Sequence, residues 1–124
     1  TRIVLDTLWF IVPYNMTIHT ISGSVCDDDM SAHTDKYIGI WTVDSLSTSG
    51  NDPGNVGGSQ AFTLRYITAA FGGSVASLQA FHDTGADFAL TAGQGVFLGY
   101  LNGHSAGLDD VTLNCTIWAH QTTP

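Results

Sequence analysis

The sequence predicts an all-β domain, an antiparallel β-sandwich of seven or eight strands, and three observations carry that prediction. The chain has no Glu, one Lys (Lys36) and two Arg (Arg2 and Arg65), so the long polar side chains that solvate a surface helix are almost missing. Thr, Ser, Gly, Val and Ile take their places, and these residues suit half-exposed strands. Short apolar runs, several strictly alternating, recur along the chain with turn residues between them, at the spacing of a sandwich or small barrel. At 124 residues the chain makes a single domain, 1–124, large enough to bury roughly two-thirds of its unfolded surface.

The elements follow in order. RIVLDTLWFIV is a first strand, ended by Pro13 and Asn15. MTIHTISGSV is a second, with Met16 and Ile18 on one face and Gly23 expected to mark a bulge. YIGIWTVDSL is a third, with Tyr37, Trp41 and Val43 on one face and Ile38, Ile40 and Leu46 on the other. Residues 47–60 read as a surface loop, longer than most connections and suited to carrying contacts. AFTLRYI returns to alternation, with Phe62, Leu64 and Tyr66 expected to face one way. SVASLQAF and ADFALTA follow, separated by HDTG, although SLQAFHD also fits one helical turn. QGVFLGYLN opens from the turn TAGQG. DVTLNCTIWAH closes the fold, setting Val111, Leu113, Cys115, Ile117 and Ala119 against Thr112, Asn114, Thr116, Trp118 and His120.

The formal charge of −8 rests on eleven Asp against three bases. Phosphate binding requires Lys and Arg clusters, so nucleic acid is excluded as a partner, and so are anionic membrane surfaces. No run of about 18 apolar residues suggests a membrane-spanning helix. The opening stretch, interrupted by Asp6 and Pro13, lacks the basic lead of a signal peptide. Cys26 and Cys115 allow one disulfide between an early and a late strand, or two buried thiols.

The densest chemistry is the stretch VCDDDMSAHTDKY, residues 25–37. Asp27, Asp29, Ser31, His33 and Asp35 fall on every second position, the spacing of a calcium loop. A calcium-binding hand requires Gly at its sixth position and Glu at its twelfth, and those places hold Ala32 and Ile38. Zinc would need more local ligands than Cys26 and His33. The segment therefore reads as a solvated loop between strands, with a weak cation site at Asp27, Asp29 and His33 as the alternative; no metal or other cofactor is expected. The five histidines are scattered, and His82 and Asp83, as strand neighbours, should point to opposite faces. No nucleophile elbow or phosphate-cradling loop in its proper context is present, so an enzyme is not expected. The sequons at Asn15 and Asn114 read as incidental in a Thr-rich chain. Of the three tryptophans, Trp118 is the one expected at the surface or an interface, on a face shared with His120.

Two pieces together, IVPYNMTIHTISGSV and FALTAGQGVFLGY followed by DVTLNCTIWAH, carry a family likeness. They resemble the jelly-roll domains of virion structural proteins in tailed phages and related viruses, the small capsid-decorating proteins and fibre-head domains. These are sandwiches distantly like that of tumour necrosis factor. In that family the turn commonly carries an acidic residue after Gly, where this chain has Gln94. The resemblance implies a non-enzymatic structural protein located on the virion, assembled as a homotrimer on the major capsid protein or other virion proteins. It implies no active-site residue. The alternative is a carbohydrate-binding β-sandwich, a lectin-like host-recognition module, for which Trp118 and His120 are the candidate contacts.

Overall fold

A computed structural model describes residues 2–27, 36–46, 62–69, 77–102 and 111–122. The described residues form eight strands: β1 (Arg2–Ile11), β2 (Met16–Asp27), β3 (Lys36–Val43), β4 (Thr63–Ile67), β5 (Ser77–Asp83), β6 (Phe88–Leu90), β7 (Gly95–Asn102) and β8 (Val111–Gln121). No helix occurs among the described residues, and SLQAFHD is strand β5 rather than a helical turn.

The strands form two antiparallel sheets. The first has the order β1-β7-β3-β4. In the second, β2 is central: β8 runs along one side of it, while β5 and β6 lie end to end along the other. β5 and β6 are thus two halves of one long strand. Ile21 pairs with Asp83 and Ile18 with Phe88, so two residues of β2 face the four residues 84–87. That excursion is local turn chemistry. Asp83 Oδ1 accepts from the Gly85 N–H at 2.8 Å, and Asp87 takes a positive φ of 39°, which Asp tolerates better than most residues.

The two sheets share one core. Ile18, Ile21 and Val25 of β2 meet Ile38 and Ile40 of β3 and Val96, Leu98 and Tyr100 of β7. Full burial of each such aliphatic side chain is worth about 1.5–3 kcal/mol. Burial in β2 changes parity, with Met16 and Ile18 inward, then Ile21 and Val25. A strand keeps a two-residue period, so an extra residue must be inserted between them. The register to β8 shows it: Ile18 pairs with Ala119 and Thr20 with Trp118, leaving His19 as the bulge. The bulge therefore lies at His19 and not at Gly23, which pairs normally with Cys115 on one side and Phe81 on the other.

A second correction concerns β4. Ile40 pairs with Tyr66 but Trp41 pairs with Leu64, so Arg65 is inserted and the facing reverses there. Tyr66 turns inward against the core, whereas Phe62 packs with Trp41, Val43 and Phe97 on the outer face of the first sheet. Leu46 joins that same outer cluster, opposite to the face expected for it, because it follows the end of β3 and folds back over Gly95. The loop at 47–60 lies outside the described residues.

The turn before β7 is tied to the β1–β2 connection, and that connection to the end of β8. Gln94 N–H donates to Thr91 O at 3.1 Å, and Gly93 takes φ 91°, the left-handed position of a type II turn. Val12 exchanges two backbone bonds with Gln94 and Gly93, both 2.8 Å. Asn15 takes the Ala92 N–H on its side-chain oxygen at 2.9 Å and the Thr122 N–H on its backbone oxygen, also at 2.9 Å. The Pro-Tyr-Asn turn, the Thr-Ala-Gly turn and the end of β8 are therefore one hydrogen-bonded unit.

Candidate functional site

The two outer faces of the molecule differ in kind. On the first sheet, register places Leu8 and Phe97 opposite each other, Trp41 opposite Leu64, and Gly39 opposite Ile67. Phe97, Trp41 and Val43 in the middle are buried. Leu8 and Ile11 on β1 and Leu64 and Ile67 on β4 stay 43–54% exposed at the two sides. This is an apolar face with greasy margins.

The outer face of the second sheet carries hydroxyls. Thr17, Thr20, Ser22 and Ser24 of β2 share it with Thr112, Asn114, Thr116, Trp118 and His120 of β8 and with Ala80 and His82 of β5. Among the described side chains at these strand positions there is no Asp, Lys or Arg. Trp118 stands here 45% exposed. The His82 ring meets it edge-on from across β2, centroids 6.1 Å apart at 86°. His19, turned outward by its bulge, stacks on His120 with centroids 5.8 Å apart and holds Thr20 Oγ1 at 3.0 Å through Nδ1. Three of the five histidines thus lie on the face that carries Trp118, His82 against its ring and His19 against His120.

His82 and Asp83 do point oppositely. His82 faces out toward Trp118; Asp83 faces in, where its Oδ2 accepts the Tyr66 hydroxyl at 2.7 Å. The Gly85 N–H, then the Tyr66 hydroxyl, hold the Asp83 carboxyl below its usual range. Burial, then the bond to Asp83 and its charge, push the Tyr66 phenol well above its usual range. The ring of Tyr66 stacks on Phe88 at 5.9 Å. Beside this pair, where the free side of β5 approaches the end of β4, lies a half-open groove of about 360 Å³. Tyr66, Thr68 and Ala69 form one wall; Ala80, His82 and Asp83 form the other.

The residues singled out in the sequence separate. Trp118 and His120 lie on the hydroxyl-lined face, two residues apart on β8. Asp27 closes β2, its backbone paired with Ser77 and Val111. Asp29 and His33 lie outside the described residues. Among the described residues no three His, Cys or Asp side chains gather as a metal would require, and no hydrogen bond joins a histidine to a carboxylate. Cys26 and Cys115 are free thiols on opposite faces of the second sheet, which excludes a staple between them: Cys26 pairs with the outward Thr112, Cys115 with the inward Gly23. Burial pushes the Cys115 thiol up to about 12, leaving it a neutral packing group.

Sequence reasoning missed the Tyr66–Asp83 bridge, the contact of His82 with Trp118 and the stacking of His19 on His120. The D-x-G of Asp83–Gly85 was a readable turn signal. The parity change between Ile18 and Ile21 was a readable sign that His19 turns outward. No known protein family, curated protein or solved structure matches this chain.

Proposed function

We propose that the chain is a virion structural protein, a capsid decoration or fibre-head subunit of the jelly-roll type that works by assembling with copies of itself, as a homotrimer, on the virus particle. The observation that carries this reading is the apolar outer face of the first sheet. Leu8, Ile11, Leu64 and Ile67 flank buried Trp41, Val43 and Phe97 there, while the opposite face of the molecule is hydroxyl-lined. The chain itself buries the middle of that face with Leu46 and Phe62 packed against it, and a second copy would cover the four margin residues that stay open. Strand order supports the two-layer sandwich on which this reading rests: the chain crosses between sheets at β1–β2, β2–β3, β4–β5, β6–β7 and β7–β8. Size-exclusion chromatography with light scattering at micromolar concentration is expected to give a trimer, with Leu64→Glu shifting it to monomer and leaving the circular dichroism unchanged. Purified capsid shells from the same source are expected to bind the chain tightly whether or not free sugars are present. A wild-type monomer that ignores the shells overturns the reading.

A second reading is a carbohydrate-binding module, favoured by one observation: Trp118 stands exposed among hydroxyl and amide groups with His82 edge-on to it. A sugar offers the matching surfaces, an apolar C–H face for the ring and hydroxyls at its edges for Thr, Ser and Asn. Saturable binding on a glycan array, lost in Trp118→Ala, tests it.

A further inference from the structure

We propose that Trp118 and the groove beyond His82 form one continuous site for a neutral oligosaccharide, with one sugar ring stacked on Trp118 and the next units running into the groove between β5 and the end of β4. The inference rests on the carbohydrate reading and extends it to a ligand class and a direction.

His82 is the link. Its ring meets Trp118 on the outer face, and the same residue is among those lining the groove. A ligand lying across Trp118 therefore passes His82 into a space of about 360 Å³, near the lower end of the roughly 300–1,000 Å³ of small-molecule sites. That is room for a short chain.

The chemistry of the walls selects the ligand. Asp83 already accepts from Tyr66 and Gly85, but each carboxylate oxygen has a lone pair left. The Tyr66 oxygen donates to Asp83 and can still accept. Thr68 Oγ1 accepts from the Ile38 N–H at 3.0 Å and keeps its own proton to donate. The groove is thus rich in acceptors, carries one negative charge and belongs to a chain of net charge −8. Such a site takes the hydroxyl donors of a polyol and repels carboxylated or sulfated sugars. The strand positions around Trp118 bring no Lys or Arg to reverse that preference.

The test is calorimetric titration of the whole chain with glucose-, galactose- and N-acetylglucosamine-terminated oligosaccharides of one to four units, beside their sialylated counterparts. Affinity is expected to rise about tenfold from one unit to three, and sialylation to abolish the gain. Trp118→Ala should remove all binding. Ala69→Trp, which fills the groove from one wall, should remove only the gain with length; Ala80→Trp does the same from the other wall if the first variant folds poorly. Absence of binding by every sugar overturns both this inference and the carbohydrate reading. Binding that Trp118→Ala abolishes, but that gains nothing with length or survives both groove variants, overturns the inference alone. Preference for sialylated sugars also overturns it.

Discussion

Tyr66 donates its hydroxyl to Asp83 across the open side of the sandwich at 2.7 Å, joining the outermost strand of one sheet to the outermost strand of the other. Among the described residues this is a polar tie between two layers otherwise held by apolar packing. The fold shifts its two groups in opposite directions. The Asp83 carboxyl is depressed in the folded chain by Gly85 and Tyr66, so its ionised form adds stability that is complete above about pH 4 and is lost as pH falls through the depressed value. The Tyr66 phenol is raised by burial and by Asp83, so its neutral form adds stability that is complete below about pH 10 and is lost as pH rises further.

The expected outcome is a bridge that holds across the neutral range and fails at both ends. Tyr66→Phe keeps the ring on Phe88 and removes the donor; it should lower Tm by a few degrees at pH 7. The difference from the wild-type chain should shrink below pH 4, where the wild-type bridge is itself lost. Asp83→Asn should flatten the acid limb of the Tm–pH curve relative to wild type. Thermal melts from pH 2 to pH 11 measure this, and a Tyr66→Phe deficit independent of pH would refute the coupling.

Gln94 sets the chemistry of the turn before β7. Its side-chain oxygen accepts from the Thr91 N–H at 2.8 Å and its side-chain nitrogen donates to Asp44 Oδ1 at 3.1 Å. An amide does both; a carboxylate does only the first. The neighbouring Asp44 accounts for an amide here: with a carboxylate at 94, two acids would meet over a buried position. Gln94→Glu is therefore expected to cost about 1–3 kcal/mol at pH 7. Asp44→Asn in the same chain should restore most of the loss by supplying the donor from the other side. Urea melts of the four chains form a double-mutant cycle. Additive losses in the double variant would show that the pair is not coupled.

The all-β class was legible because composition and period agreed: a chain without Glu, with alternating runs, favours half-exposed strands over surface helices. Facing was legible only where the alternation was unbroken, as on β8. At His19 and Arg65 an inserted residue moves every later side chain to the other face, and a local pattern does not reveal which residue of several is the inserted one. That is why the bulge was expected at the glycine, and why Phe62 and Tyr66 were placed together. The site was legible only in part. Trp118 lies on an unbroken strand, so its exposure followed from pattern. His82 reaches it across β2, His19 comes to the same face through a bulge and stacks on His120, and Tyr66 finds Asp83 across two sheets. Those meetings belong to tertiary geometry.

Gly23 shows what that geometry demands of a single residue. β2 runs between β5 and β8, and a Cβ at Gly23 would fall onto the carbonyl oxygen of Asn114, 3.0 Å from Phe81 Cε1 and 3.2 Å from the Cα of Cys115. Two of those three obstacles are the backbone of β8, which does not yield as a side-chain tip would. β2 itself cannot shift away, because β5 holds its other side. Gly23→Ala should therefore prise β8 from β2 and cost about 3 kcal/mol or more, at the upper end for an overpacked interior. Ser22→Ala, one residue away on the open outer face, should stay within about 0.5 kcal/mol of wild type. Amide hydrogen exchange gives the sharper reading: protection in Gly23→Ala should fall first along residues 112–118 of β8, while the β3–β7 pairing of the other sheet keeps its own. If Gly23→Ala melts and exchanges as wild type does, the close approach of β2 and β8 at this point is wrong.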